Sequence, residues 1–207
     1  MGPAFRSGFV CLVGRPNVGK STLLNRLVGR TVSITAPKPQ TTRNRILGIK
    51  HGPGYQAVFV DTPGIHDARD PLNRRLVRYA LAALEDADVV LVMVEPLRES
   101  QRVPQAADAR VLAHVSGVTA PRLLLINKID LASEGEILHS IARFNEAGRF
   151  DEIVPLSAKS GRGVARLEAL IPGYLSPGPP FFEPDWHTDQ SEQMFIAEMI
   201  RQELFRR

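Results

Sequence analysis

The chain has 207 residues, 43% of them hydrophobic and 23% charged, which is enough for one domain with a full core plus an appendage but tight for two complete domains. It lacks any apolar run near the roughly 18 residues of a membrane span and any basic segment leading into an export-signal core, so a cytoplasmic protein is expected. The net charge of +4 leans toward polyanionic partners, and a single cysteine, Cys11, excludes a disulfide framework and a Cys/His metal cluster.

In chain order, the first predicted element is a short apolar strand over 9–13, with Cys11 read as a small buried core residue. Gly14-Arg15-Pro16-Asn17-Val18-Gly19-Lys20-Ser21 follows, and a helix is predicted over 21–27. This is a GxxxxGKS phosphate loop in the strand-loop-helix setting that its chemistry needs. Gly14 and Gly19 permit unusual dihedrals and close approach of main chain to ligand, so N–H groups from Gly14 through Thr22 can point at phosphate oxygens before a helix N-terminus. Lys20 is placed to reach the β and γ phosphates, and the Ser21 hydroxyl to ligate magnesium.

From residue 30 to residue 50 the sequence holds Arg30, Lys38, Arg43, Arg45 and Lys50 and no acidic residue. That pattern fits either a solvated basic loop beside a triphosphate or a surface facing nucleic acid. Strands over 45–49 and 56–60 are joined by His51-Gly52-Pro53-Gly54-Tyr55, a connection so short that the pair must be antiparallel. Asp61-Thr62-Pro63-Gly64 comes next, with Asp61 positioned to hold magnesium and the Gly64 N–H to meet the γ phosphate.

A helix over 72–84, a strand over 89–94, a helix over 105–114 and a strand over 122–126 lead to Asn127-Lys128-Ile129-Asp130. A carboxylate at Asp130 can accept from guanine N1–H and from the exocyclic amine, whereas adenine presents an acceptor and no amine at that edge. After a helix over 136–144 and a strand over 153–156, Ser157-Ala158-Lys159 can offer a backbone N–H to guanine O6, and a helix over 164–170 follows. The fold class predicted is α/β: a doubly wound, mostly parallel six-stranded sheet with one antiparallel strand, its ligand beyond the carboxyl ends of the strands.

The composition changes near Pro172. Residues 176–184 are dense in proline and read as an extended, semi-rigid linker. Beyond it Thr188-Asp189 precedes Glu192 with capping-box spacing, and Phe195, Ile196, Met199, Ile200 and Leu204 share one helical face. The expected organisation is a domain over 1–172, a linker over 173–187 and a helix within 188–207.

These motifs, in this order, resemble the translation-factor-like class of P-loop GTPases over roughly residues 7–172. Gln40-Thr41-Thr42-Arg43, together with Gly178-Pro179, Pro184-Asp185, Thr188-Asp189 and 197–201 (Ala-Glu-Met-Ile-Arg), is similar to the Era family of bacterial ribosome-assembly GTPases. The resemblance implies a GTP hydrolase that binds GTP, GDP and Mg2+, with Lys20, Thr42 and Gly64 acting on the γ phosphate and Ser21, Thr42 and Asp61 around the metal. Thr42, or Thr41 in its place, would close over the nucleotide and release it after hydrolysis. Asn17 matches an asparagine that coordinates K+ in several relatives. Ile65 stands where Ras-like enzymes carry a water-orienting glutamine, and an aliphatic chain cannot orient water, so slow intrinsic turnover is expected. His66 is a candidate substitute or a solvated residue.

Implied partners are small-subunit ribosomal RNA and the small ribosomal subunit, with peripheral inner-membrane association and a monomeric state. The terminal helix matches the first helix of a KH-type RNA-binding domain, and the absence of a Gly-x-x-Gly loop after residue 172 predicts a chain truncated within that domain. A GTP sensor with incidental hydrolysis, or a related tRNA-modification or ribosome-assembly GTPase, is the alternative.

Overall fold

The computed structural model describes residues 4–35, 46–65 and 71–206. Thr41, Thr42 and His66, for which roles were expected, lie outside the described residues.

The elements alternate as β1 (Arg6–Gly14), α1 (Lys20–Val28), β2 (Ile46–Gly52), β3 (Tyr55–Asp61), α2 (Pro71–Glu85), β4 (Val89–Val94), α3 (Ala106–Val115), β5 (Arg122–Ile126), α4 (Glu134–Ala147), β6 (Glu152–Pro155), α5 (Val164–Tyr174), β7 (Ser176–Pro177) and α6 (Glu192–Arg206). A 3-10 turn, Ile129–Leu131, follows β5. The sheet order is β2-β3-β1-β4-β5-β6, with β2 antiparallel to β3 and the remaining pairs on that path parallel. These are the six expected strands. The two-residue β7 adds a seventh by pairing antiparallel with the start of β1.

Central strands are continuous apolar runs because helices cover both faces. On one face Val10, Leu12, Phe59, Leu91 and Leu125 pack with Leu23, Leu24 and Leu27 of α1 and Leu167 and Ile171 of α5. On the other, Cys11, Val13, Val90, Val92 and Leu124 meet Ala80 and Leu84 of α2, Val111 of α3 and Phe144 of α4. Burial pushes the Cys11 thiol up to about 12, with Asp61 adding to the effect, so it is an inert core group as its place in the first strand implied. Helix α4 starts two residues earlier than its apolar period suggests, because Ser133 and Glu136 form a capping box: the Glu136 N–H donates to Ser133 Oγ (3.1 Å) and the Ser133 N–H to Glu136 Oε2 (3.0 Å).

The proline-rich segment is tied to the sheet at several points. The Gly178 N–H donates to the Phe5 carbonyl (3.0 Å), and the fully buried Gln56 accepts from the Phe181 and Phe182 N–H groups while donating to the Phe182 carbonyl (2.8 Å). The segment then climbs the open edge of β2. The Ile49 N–H donates to the His187 carbonyl (2.9 Å), Gly48 bridges Thr188, and the Leu47 N–H donates to Asp189 Oδ1 (3.1 Å). An edge strand otherwise presents such groups to other chains. Asp189 is therefore committed to β2 and does not cap α6. Ser191 takes that place, accepting from the Met194 N–H (3.3 Å). Among the described residues no helix is long and apolar enough to cross a membrane.

Candidate nucleotide-binding site

The phosphate loop, the Asp61 loop and both base loops leave the carboxyl ends of β1, β3, β5 and β6, where open α/β sheets bind ligands. A Cβ on Gly14 would stand 2.6 Å from the Met93 carbonyl oxygen, so the loop rests directly on β4. Gly19 has φ +109° at the start of α1, and Asn17 is also left-handed at φ 61°. This curvature keeps successive N–H groups on the inner side of the loop.

Lys20 is buried, its Nζ 3.3 Å from both the Gly14 and Arg15 carbonyl oxygens. Burial lowers its pKa, and the negative charge of Asp61 works against that shift without cancelling it. An ammonium so placed is short of compensating charge, which a phosphate would supply. Asp61 is fully buried, and Oδ2 accepts from Ser21 Oγ (2.7 Å) and from Ser33 Oγ (2.9 Å). A carboxylate and a hydroxyl in contact at the loop mouth are the hard oxygen donors that Mg2+ prefers, so Ser21 and Asp61 fit that ion. Thr42, the third expected metal ligand, lies outside the described residues.

The other members of the Asp61 loop make structural contacts. Thr62 Oγ1 donates to the Leu12 carbonyl (2.7 Å), and the Ile65 N–H donates to the Gly14 carbonyl (3.1 Å). A Cβ on Gly64 would lie 2.6 Å from the Pro16 nitrogen, so only glycine lets this loop sit against the phosphate loop. Ile65 is 1% exposed and packs in the core with Val13 and Val92. Its side chain faces away from solvent and carries no polar atom with which to direct a water.

Asn127, 2% exposed, joins the phosphate and base loops: Nδ2 donates to the Val18 carbonyl (2.7 Å), and Oδ1 accepts from the Ala158 N–H (2.8 Å). With that N–H directed at Asn127, guanine O6 must share it or be met by the N–H of Lys159. Asp130 is exposed. Its carboxyl is held below the usual range first by a Ser157 hydrogen bond, with the charges of Lys159 and Lys128 adding to it and slight burial opposing. It therefore stays an anion, as base recognition requires.

Five residues with roles here went unnoticed in the sequence. Glu95, directly after β4, pairs with both Arg15 of the phosphate loop and Lys128 of the base loop, and Asp108 of α3 lies 3.3 Å from Arg15 Nε. The position of Glu95 at a strand's carboxyl end was an available signal. Ser33 on Asp61, Arg26 on the Ala158 and Lys159 carbonyls, and Gln190, whose Nε2 donates to the Val32 carbonyl (2.7 Å), carried none.

A doubly wound sheet bearing a phosphate loop, a buried Asp beside its serine and two base-facing loops braced by one asparagine defines a P-loop GTPase. A family model described as "50S ribosome-binding GTPase" matches residues 9–128. The chain is 49% identical over 202 residues to GTPase Era of Geotalea uraniireducens, covering 98% of this chain and 67% of that one, and 48% identical to GTPase Era of Geobacter metallireducens, with 98% and 66% covered. The chain belongs to the Era GTPase family, and it spans about two thirds of the length of these relatives. A crystal structure of Era in complex with MgGDPNP and nucleotides 1506–1542 of 16S ribosomal RNA superposes with TM-score 0.89 at 37% identity, over 96% of this chain and 66% of that one. An Aquifex aeolicus Era variant bound to GDP·AlF4− superposes with TM-score 0.88, also at 37% identity.

Proposed function

We propose that this chain is the GTP-driven switch of an Era-type ribosome-assembly factor, hydrolysing GTP to GDP and phosphate and passing its nucleotide state to an element that binds small-subunit ribosomal RNA. The observation that carries the reading is Asn127. By holding Val18 and Ala158 together it makes one site of a phosphate loop and a base loop, as a guanine nucleotide spanning both requires.

Phosphate-loop N–H groups and Lys20 bind the β and γ phosphates and stabilise charge gathering on the bridging oxygen as the terminal P–O bond breaks. Asp130 reads guanine N1–H and the 2-amine. Ser21, Asp61 and Thr42 would hold Mg2+, which would offset phosphate charge. Gly64 would present its N–H to the γ phosphate, and Thr42, or Thr41 in its place, would close over it. Because Ile65 is aliphatic and core-bound, turnover by the chain alone is slow, and Asn17 would hold K+, which would supply charge at the leaving phosphate. Single-turnover phosphate release tests both points. Equal rates in K+ and Na+ at matched ionic strength remove the cation, and no release above the uncatalysed rate leaves a GTP sensor.

The route to RNA runs through the tail. Gln190 holds Val32 and Asp189 holds Leu47, so the segment leading into α6 grips both sides of the stretch 36–45 that contains Thr42. Ile196, Met199 and Ile200 of α6 are exposed, a face suited to packing within a KH-type domain built with further chain. The protein acts as a cytoplasmic monomer with peripheral contact to the inner membrane, in keeping with the family resemblance; pelleting with anionic vesicles tests that contact. RNA binding should be compared for this chain and one extended past Arg207, each with GDP and with a non-hydrolysable GTP analogue. Nucleotide-dependent binding confined to the extended chain is expected, and equal binding in both nucleotide states would refute the coupling.

A further inference from the structure

Arg26 lies in the last turn of α1, far in sequence from the base loops, yet its guanidinium is spent on one of them. Nε donates to the Ala158 carbonyl (2.6 Å) and Nη2 to the Lys159 carbonyl (2.5 Å). Gly161 makes room for it: its φ is +90°, and a Cβ there would stand 2.9 Å from Arg26 Nη1. The turn itself is closed without Arg26, by the Gly161 N–H on the Ser157 carbonyl (2.8 Å) and the Ser160 N–H on Ser157 Oγ (3.0 Å). What Arg26 adds is direction. In a trans peptide the C=O and the N–H point to opposite sides. Drawing the Ala158 carbonyl toward α1 turns the Lys159 N–H away from α1, and the Ala158 N–H is already given to Asn127.

We infer that Arg26 is a positioning residue for guanine recognition: it aims the Lys159 N–H at the O6 of the base and ties that peptide to the helix that starts at the phosphate-binding Lys20. The inference rests on the guanine reading proposed above. Phosphate loop, Asn127, Ala158, Arg26 and α1 form a closed ring, so the O6 donor is held at a set distance from the phosphates. Arg26 is itself exposed, so its loss opens no cavity in the core.

The test is the affinity of wild type, Arg26→Ala and Arg26→Lys for GDP, for 6-thio-GDP and for IDP. 6-Thio-GDP replaces only the O6 acceptor, and IDP lacks only the amine that Asp130 reads. Thermal unfolding is followed in parallel. Arg26→Ala should weaken GDP about tenfold, the scale of charge-assisted hydrogen bonds lost at a partly exposed site. Its preference for GDP over 6-thio-GDP should fall toward unity while its preference for GDP over IDP is kept. Arg26→Lys, with one donor head, should recover part of the O6 preference. An unchanged GDP to 6-thio-GDP ratio in Arg26→Ala overturns the inference. So does a joint collapse of both ratios with a lowered melting temperature, which is the signature of general loosening. A wild type that fails to prefer GDP over IDP refutes the guanine reading itself, a separate result.

Discussion

Replacing Asn127 by Ala removes a side chain whose two hydrogen bonds both end on buried main chain. Val18 is fully buried and Ala158 is 2% exposed, so the Val18 carbonyl and the Ala158 N–H lose partners at 2.7 Å and 2.8 Å where water has poor access. Each buried polar group left unpaired costs about 1–3 kcal/mol, giving a loss of about 2–6 kcal/mol. Against a typical total of about 5–15 kcal/mol, that is a large share of the stability. The assay is urea unfolding of the nucleotide-free protein in EDTA, so that ligand linkage does not enter, followed by GDP titration of the folded variant. The stability loss should appear without nucleotide, and GDP affinity should fall as well, since the two loops no longer move as one. A loss under 1 kcal/mol, or unchanged GDP affinity in a destabilised variant, would refute the view that this side chain couples the phosphate and base subsites.

Burial raises the Asp108 carboxyl from 3.8 to about 6, against the pull of Arg15 and with added repulsion from Glu95. Between those values the folded chain keeps a proton that the unfolded chain has released, so stability falls as pH rises through this window and the whole cost is present above it. Asp108→Asn should therefore gain stability over wild type at pH 8 by at most about 3 kcal/mol, less what the Arg15 contact returns, and the gain should vanish toward pH 4. Equal differences at pH 5 and pH 8 in urea would contradict this. Lys20→Ala should leave apo stability unchanged or raised, because a buried ammonium with a lowered pKa is removed, while nucleotide affinity falls at least about a hundredfold; retained affinity by fluorescent-GDP titration would count against the phosphate loop. Asp130→Asn should lower GTP affinity about a hundredfold and bring xanthosine triphosphate above it in competition, and an unchanged order would count against base recognition by this carboxylate.

The sequence by itself determined the short, contiguous strings on which the proposed site rests. GxxxxGKS between a strand and a helix, Asp61 to Gly64, Asn127 to Asp130 and Ser157 to Lys159 each bring their ligand-facing groups within one turn of chain, so spacing alone reports their geometry. The β2–β3 hairpin was legible for the same reason, because five residues leave the chain no other way back. The tertiary structure decided what joins these strings. Arg26 meets Lys159 across 133 positions and Gln190 meets Val32 across 158, pairings set by sheet order rather than by local pattern. It also reassigned one residue whose local signal was sound: Asp189, drawn from a cap to an open strand edge by an N–H that needed an acceptor. There the satisfaction of a distant polar group outweighed the preference written in the neighbouring residues.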